Sequence, residues 1–178
     1  MDLALTEVTA TARYGHAVDE YELRDASAAD APVLAQMLRW AMGWREVPAA
    51  DGSPPSVPVA GYVFGDFGRP GDGGVIAARE GEPAGACWYR LLPAAARGHG
   101  FVAEGVPELT IAVLPIHRAQ GLGGKLLDRA LDHARAAGFG SIGLSVETDN
   151  PARGMYERRG FELVADNGSS WTMRKRLV

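Results

Sequence analysis

Residues 108–125 read Glu108-Leu-Thr-Ile-Ala-Val-Leu-Pro-Ile-His-Arg-Ala-Gln-Gly-Leu-Gly-Gly-Lys125. From Leu109 to Leu114 the run is apolar but for Thr110, as suits a central strand buried on both faces. Pro115 stops it. Beyond the glycines, Leu122, Leu126, Leu127, Ala130, Leu131 and Ala134 form one stripe, with Lys125, Asp128, Arg129, Asp132 and Arg135 off it. That spacing predicts an amphipathic helix, with Gly138 placed to cap its C-terminus. Ser141 to Val146 then alternates small residues with Ile142, Leu144 and Val146, as a strand does. Strand, helix, strand predicts a right-handed crossover between parallel strands.

The turn between strand and helix, Arg118 to Lys125, is where chemistry is expected. Its glycines let backbone N–H groups approach a ligand with no Cβ in the way. The helix start adds unpaired N–H donors and the positive end of the dipole. A pyrophosphate fits such a place. Two familiar phosphate loops do not match. A P-loop needs Gly where Ala119 stands and Ser or Thr where Leu126 stands, and the dinucleotide fingerprint needs its third Gly at Leu126 as well.

Working outward, Asn150 and Pro151 read as an N-cap and first-turn pair opening a further helix that ends at Gly160. Phe161 to Val164 and Trp171 to Leu177 are candidate closing strands. Upstream, Val75 to Ala78 and Gly85 to Leu91 make a hairpin turning at Gly81. Tyr21 to Arg24 is a candidate first strand. Ser27 and Asp30 offer cap chemistry, Pro32 suits a first turn, and Val33 to Met42 follows at helical spacing. The stretches 43–74 and 93–107 are rich in small residues and read as functional loops, with a short helix expected near Val59 to Phe64. Residues 1–20 are weakly patterned and are read as an N-terminal extension, with 21–178 as a single domain.

Two blocks now carry a resemblance. The first is Leu109-x-x-x-Val113-x-Pro115-x-x-Arg118-x-x-Gly121-x-Gly123, and the second runs from Asn150 through Tyr156 to Phe161. Together and in this order they resemble the acyl-CoA motif and the following helix of the GNAT superfamily of N-acyltransferases. The resemblance implies an α+β fold with a mixed, mostly antiparallel sheet whose fourth and fifth strands are parallel and splayed. It implies acetyl-CoA as co-substrate, no metal, and transfer of the acetyl group to a primary amine by direct attack. The backbone of Gln120, Gly121, Leu122, Gly123 and Gly124 would hold the pyrophosphate, with Arg118 and Ala119 beside them at the cofactor. Ile111 and Val113 would meet the pantetheine or the thioester carbonyl, where a backbone N–H serves as oxyanion donor. Tyr156 aligns with a tyrosine that protonates the leaving thiolate, and Glu108 with a glutamate that some members use as base.

Plainer readings stand beside these. Tyr156 could only pack on the sheet, Asn150 could only cap a helix or also touch the cofactor, and Arg118 could be a surface arginine. Glu104 and water compete with Glu108 as base. His99 could face the acceptor or solvent. Trp40, Trp44, Tyr62, Phe64 and Phe67 could line an acceptor pocket or pack helix on sheet. Glu46, Asp66 and Glu104 would suit a cationic acceptor. A non-catalytic acyl-CoA sensor of the same fold is the alternative to an enzyme, and a cofactor-free interaction domain is a second.

The bulk numbers bound the rest. Net charge is −4, which argues against nucleic-acid binding. One cysteine, Cys87, excludes an internal disulfide, and His16, His99, His117 and His133 show no metal-type spacing. No apolar stretch or leader suggests a membrane partner, so a cytoplasmic monomer or homodimer is expected.

Overall fold

A computed structural model of the chain describes residues 21–46, 50–53 and 66–177. The N-terminal extension, the expected helix at 59–64, and Tyr62 and Phe64 lie outside the described residues. Among the described residues seven strands form one sheet, in the order β1-β2-β3-β4-β5-β7-β6. They are β1 (Glu22–Asp25), β2 (Gly73–Arg79), β3 (Glu82–Arg90), β4 (Glu108–Val113), β5 (Ser141–Glu147), β6 (Glu162–Asp166) and β7 (Ser170–Arg176). All neighbours run antiparallel except β4 and β5, which are parallel. The helices are α1 (Ala31–Met42), α2 (Leu122–Ala136) and α3 (Arg153–Arg158). This is the expected α+β architecture.

Alternation along β2 and β3 sends side chains to two cores. Ile76, Ala86 and Trp88 pack with Leu34, Met37, Leu38 and Trp40 of α1. Val75, Ala77, Cys87 and Tyr89 pack with the α2 stripe, Leu122 to Ala134, on the opposite face. The central strands are therefore covered on both sides. Burying the four leucines of the stripe contributes on the order of 1.5–3 kcal/mol each.

The helix ends follow local chemistry. Asp30 Oδ2 accepts the Ser27 N–H (2.8 Å), and both Asp30 oxygens accept from the Arg24 guanidinium (2.6 and 2.9 Å). These bonds, Arg24 first, hold the Asp30 carboxyl down at about 2 despite burial. At the end of α2, Gly138 has φ 88°, Phe139 N–H donates to Ala134 O, and Gly138 N–H donates to Arg135 O. That is a Schellman cap, the one Gly138 was expected to make.

One expected cap is corrected. Asn150 and Pro151 do not start α3, which begins at Arg153. Asn150 Oδ1 accepts the Ala152 N–H (2.9 Å) and its carbonyl accepts the Arg153 N–H (3.1 Å). The asparagine closes a separate turn on itself, two residues ahead of the Ala152 N-cap.

Candidate active site at the β4–β5 splay

The two parallel strands share one paired position among the described residues, Glu108 with Gly143. The Gly143 N–H donates to Pro107 O (2.9 Å) at the same level. Beyond it the strands part. Backbone direction in β4 follows from one bond: Leu114 N–H donates to Ala84 O (3.0 Å), so that residue faces β3. Antiparallel alternation then turns Ala112 and Thr110 to β3, and Val113, Ile111 and Leu109 to β5. Ile111 and Val113 thus aim main-chain polar groups into the gap. Arg118 Nε takes the Val113 carbonyl (2.9 Å), and its Nη1 reaches Trp44 O (3.4 Å).

The glycine turn closes the wide end of the gap. Ala119 (φ 59°) and Gly121 (φ 79°) both sit in the left-handed region, and Gly121 is the N-cap of α2. The first bond of the helix ladder runs from Lys125 N–H to Gly121 O (3.2 Å). The N–H groups of Leu122, Gly123 and Gly124 precede that ladder and are the orphan donors of a helix start. A Cβ at Gly121 would meet nothing within 4 Å, and one at Gly123 only Met155 Sδ and Val113 Cγ2, at 3.6 and 3.7 Å. The cradle is open, as a bulky anion requires. The Leu122 side chain is in the core, and the Gln120 side chain is bonded to Ile116 O and Tyr21, so these two residues can offer only backbone.

Two cavities meet here. One, of about 400 Å³, is lined by Ile111, Val113, Arg118, Ala119, Gly121, Gly123, Gly124, Asn150 and Tyr156. The other, of about 350 Å³, is lined by His99, Glu108, Ile111, Glu147, Asn150 and Tyr156, among others. Trp44 borders both. Sites named from sequence at 111–124 and at 150–156 are therefore brought to one cleft. Trp40 and Phe67 are buried in the α1 core, and Trp40 also borders the larger cavity.

Tyr156 lies between the cavities, 6% exposed, with its ring edge-on to Phe161 at 5.7 Å. Burial, with a smaller effect of Cys87, pushes its hydroxyl far above the usual tyrosine range, so it stays protonated. Glu108 accepts N–H groups of Gly98 (2.7 Å) and Gly100 (3.0 Å). Burial raises its pKa, and those two bonds and His99 only partly offset the rise. Of the acids first considered, Asp66 is engaged by Arg90 (2.7 Å) and Arg69 (2.9 Å), while Glu46 and Glu104 are exposed. Beside Glu108, the acid that borders the smaller cavity is Glu147, which accepts from Trp44 Nε1 and from Arg45. Sequence reading missed it because its partners are 102 and 103 residues away. Cys87 is fully buried and its thiol is pushed up, which makes it a packing group. Among the described residues no cluster of His, Cys, Asp and Glu could hold a metal ion, and no helix is long and apolar enough to cross a membrane.

A seven-stranded sheet opened between parallel β4 and β5, with a glycine-capped helix start at the opening, defines an acyltransferase-type fold. The model of the Acetyltransferase (GNAT) family matches residues 34–161, and the chain belongs to that family. A curated relative is the mycothiol acetyltransferase of Beutenbergia cavernae, 38% identical over 96 residues. That match covers 53% of this chain and 27% of the relative, so the chain spans about a quarter of that protein. A phosphinothricin acetyltransferase from Sinorhizobium meliloti, solved with AcCoA, superposes with a TM-score of 0.62 at 23% identity, covering 88% of each chain. An N-acetyltransferase from Thermoplasma acidophilum, solved with coenzyme A, superposes at 0.61 with 17% identity, covering 88% of this chain and 98% of that one.

Proposed function

We propose that this chain transfers an acetyl group from acetyl-CoA to a primary amine. The observation that carries the reading is the junction of the two cavities at Tyr156, beside the backbone of Ile111 and Val113 where β4 parts from β5. Bound there, acetyl-CoA would supply an activated acyl thioester. The N–H groups of Gln120 to Gly124 and the dipole of α2 suit its pyrophosphate. Ile111 and Val113 suit the pantetheine and the thioester carbonyl, with a main-chain N–H as oxyanion donor. Arg118 would have to give up the Val113 carbonyl to admit that arm.

Direct transfer forms a C–N bond, breaks the C–S bond, and requires two proton movements. Tyr156, kept protonated by burial, is suited to giving a proton to the departing sulfur. Glu108 borders the cavity opposite and carries a raised pKa, which suits a base for the incoming ammonium, directly or through water. Asn150 borders both cavities; its Oδ1 is taken by its own turn, which leaves its amide N–H groups as the part suited to meet the co-substrate. The structural neighbours solved with AcCoA and with coenzyme A support the choice of co-substrate, and family membership supports catalysis over sensing.

Calorimetric titration with acetyl-CoA tests the reading, with Gly123→Glu as control, because it puts a carboxylate into the anion cradle. Micromolar binding abolished by Gly123→Glu, followed by amine-dependent thiol release, is the expected result. Binding with no thiol release from any amine would leave a sensor, and no binding would end both readings.

A further inference from the structure

The glycine turn is fastened from an unexpected side. Tyr21, immediately before β1, sends its hydroxyl to Gln120 Oε1 (2.9 Å) and to His117 Nδ1 (3.0 Å), with its ring edge-on to the imidazole at 5.5 Å. Gln120 Nε2 donates to Ile116 O (3.0 Å), which fixes the amide with its oxygen toward Tyr21. Tyr21 has a single hydroxyl hydrogen, and Gln120 Oε1 takes it. The His117 Nδ1 must then carry a proton and donate to the Tyr21 oxygen. All the hydrogens are accounted for, and three side chains lock Ile116, His117 and Gln120 to the sheet.

The topology explains how a residue 99 positions away reaches the turn. Glu22 pairs with Ala78, Ala78 with Pro83, and Gly85 with Val113, so the start of β1 and the end of β4 lie at one end of the sheet. Tyr21 is 8% exposed and belongs to the α2 core. The turn needs such a brace, since Ala119 holds φ 59° without being glycine, a conformation that surrounding contacts must impose.

We infer that Tyr21 is a positioning residue for co-substrate binding. By anchoring the Gln120 side chain it aims the Gln120-to-Gly124 backbone donors at the pyrophosphate. The inference rests on the proposed acetyl-CoA reading. Its signature is selectivity for the phosphate end of the ligand. Tyr21→Phe keeps the buried ring and removes the hydroxyl. It should weaken acetyl-CoA binding by about 2- to 10-fold, the range for one hydrogen bond. S-acetylpantetheine has the thioester arm and no phosphate, and its binding should change less than about twofold. Gln120→Ala, which keeps the backbone donor, should give the same selective loss, and the double variant should be no worse than either single one. The second variant serves if Tyr21→Phe does not fold.

Calorimetry with both ligands and thermal melts of each variant decide the matter. Unchanged acetyl-CoA affinity in Tyr21→Phe and Gln120→Ala overturns the inference and leaves the proposed function standing. So does an equal loss for both ligands, which marks a general packing role. Wild-type protein that fails to bind acetyl-CoA removes the proposed function, and this inference with it.

Discussion

The indole N–H of Trp44 donates to the Glu147 carboxylate, so the segment after α1 is latched to the end of β5 at the edge of the smaller cavity. Arg45 strengthens the latch. Its guanidinium lies 4.6 Å from the Trp44 ring centroid and also engages Glu147 and Asp149. Glu147→Gln should therefore disturb the acceptor side selectively. The amine KM should rise about 3- to 10-fold, as befits a partly exposed charged hydrogen bond, with acetyl-CoA affinity nearly unchanged. Steady-state kinetics in both substrates checks this, and an unchanged amine KM would show that the latch does not shape the acceptor cavity.

Tyr156→Phe should lower kcat by about 100-fold or more while leaving acetyl-CoA affinity within about threefold, the pattern of a group used in the transition state. The buried hydroxyl titrates only far into the alkaline range. The wild-type pH–rate profile should therefore show no alkaline loss from this group at or below pH 10. A kcat equal to wild type would leave Tyr156 as a packing tyrosine.

As the proposed base, Glu108 would work only when ionised, so activity should fall as pH drops through its raised pKa, above the ordinary glutamate value. Glu108→Gln should abolish that acidic limb and cost stability too. An amide has one oxygen where the carboxylate has two, and one of the Gly98 and Gly100 N–H groups would lose its acceptor, at about 1–3 kcal/mol. Comparing the pH–rate profiles separates base from brace. A profile that keeps its acidic limb in the variant would assign Glu108 to the brace alone.

Asp30 gives a pH-dependent stability from a pKa shifted the other way. Its folded pKa is depressed from 3.8 to about 2, so the contribution is complete above the unfolded value and is lost as pH falls through the folded one. Asp30→Asn should cost about 1–2 kcal/mol at pH 7, allowing for the exposure of Arg24. The difference should shrink between pH 4 and pH 2. Chemical denaturation at the three pH values measures it.

The region from Glu108 to Glu147 was legible because its signals are local. An apolar run, a helical stripe and a capping glycine each state one element, and their order states the crossover. The glycine spacing likewise pointed to the turn that lines the larger cavity. Asn150 misled because asparagine serves turns and caps with the same side-chain oxygen, and the dipeptide Asn-Pro does not say which. Glu147, Tyr21 and Arg45 carried no readable signal, since each is defined by partners about a hundred residues away. The smaller cavity brings together residues from distant parts of the chain, from Leu38 to Ser170. That is why sequence reading offered Glu46, Asp66 and Glu104 beside Glu108 and passed over Glu147, while the fold brings Glu108 and Glu147 to it.

The single rung between β4 and β5 has a consequence for the life of the molecule outside the reaction. With one shared pair at its centre, the sheet is two ribbons, β1–β4 and β5–β7, tied by a helical crossover. A ligand lodged in the seam would stand in for the missing rungs and add its binding energy to cohesion by mass action. Resistance to proteases would then track the supply of acetyl-CoA, so that the protein would last longest when it has most to work with.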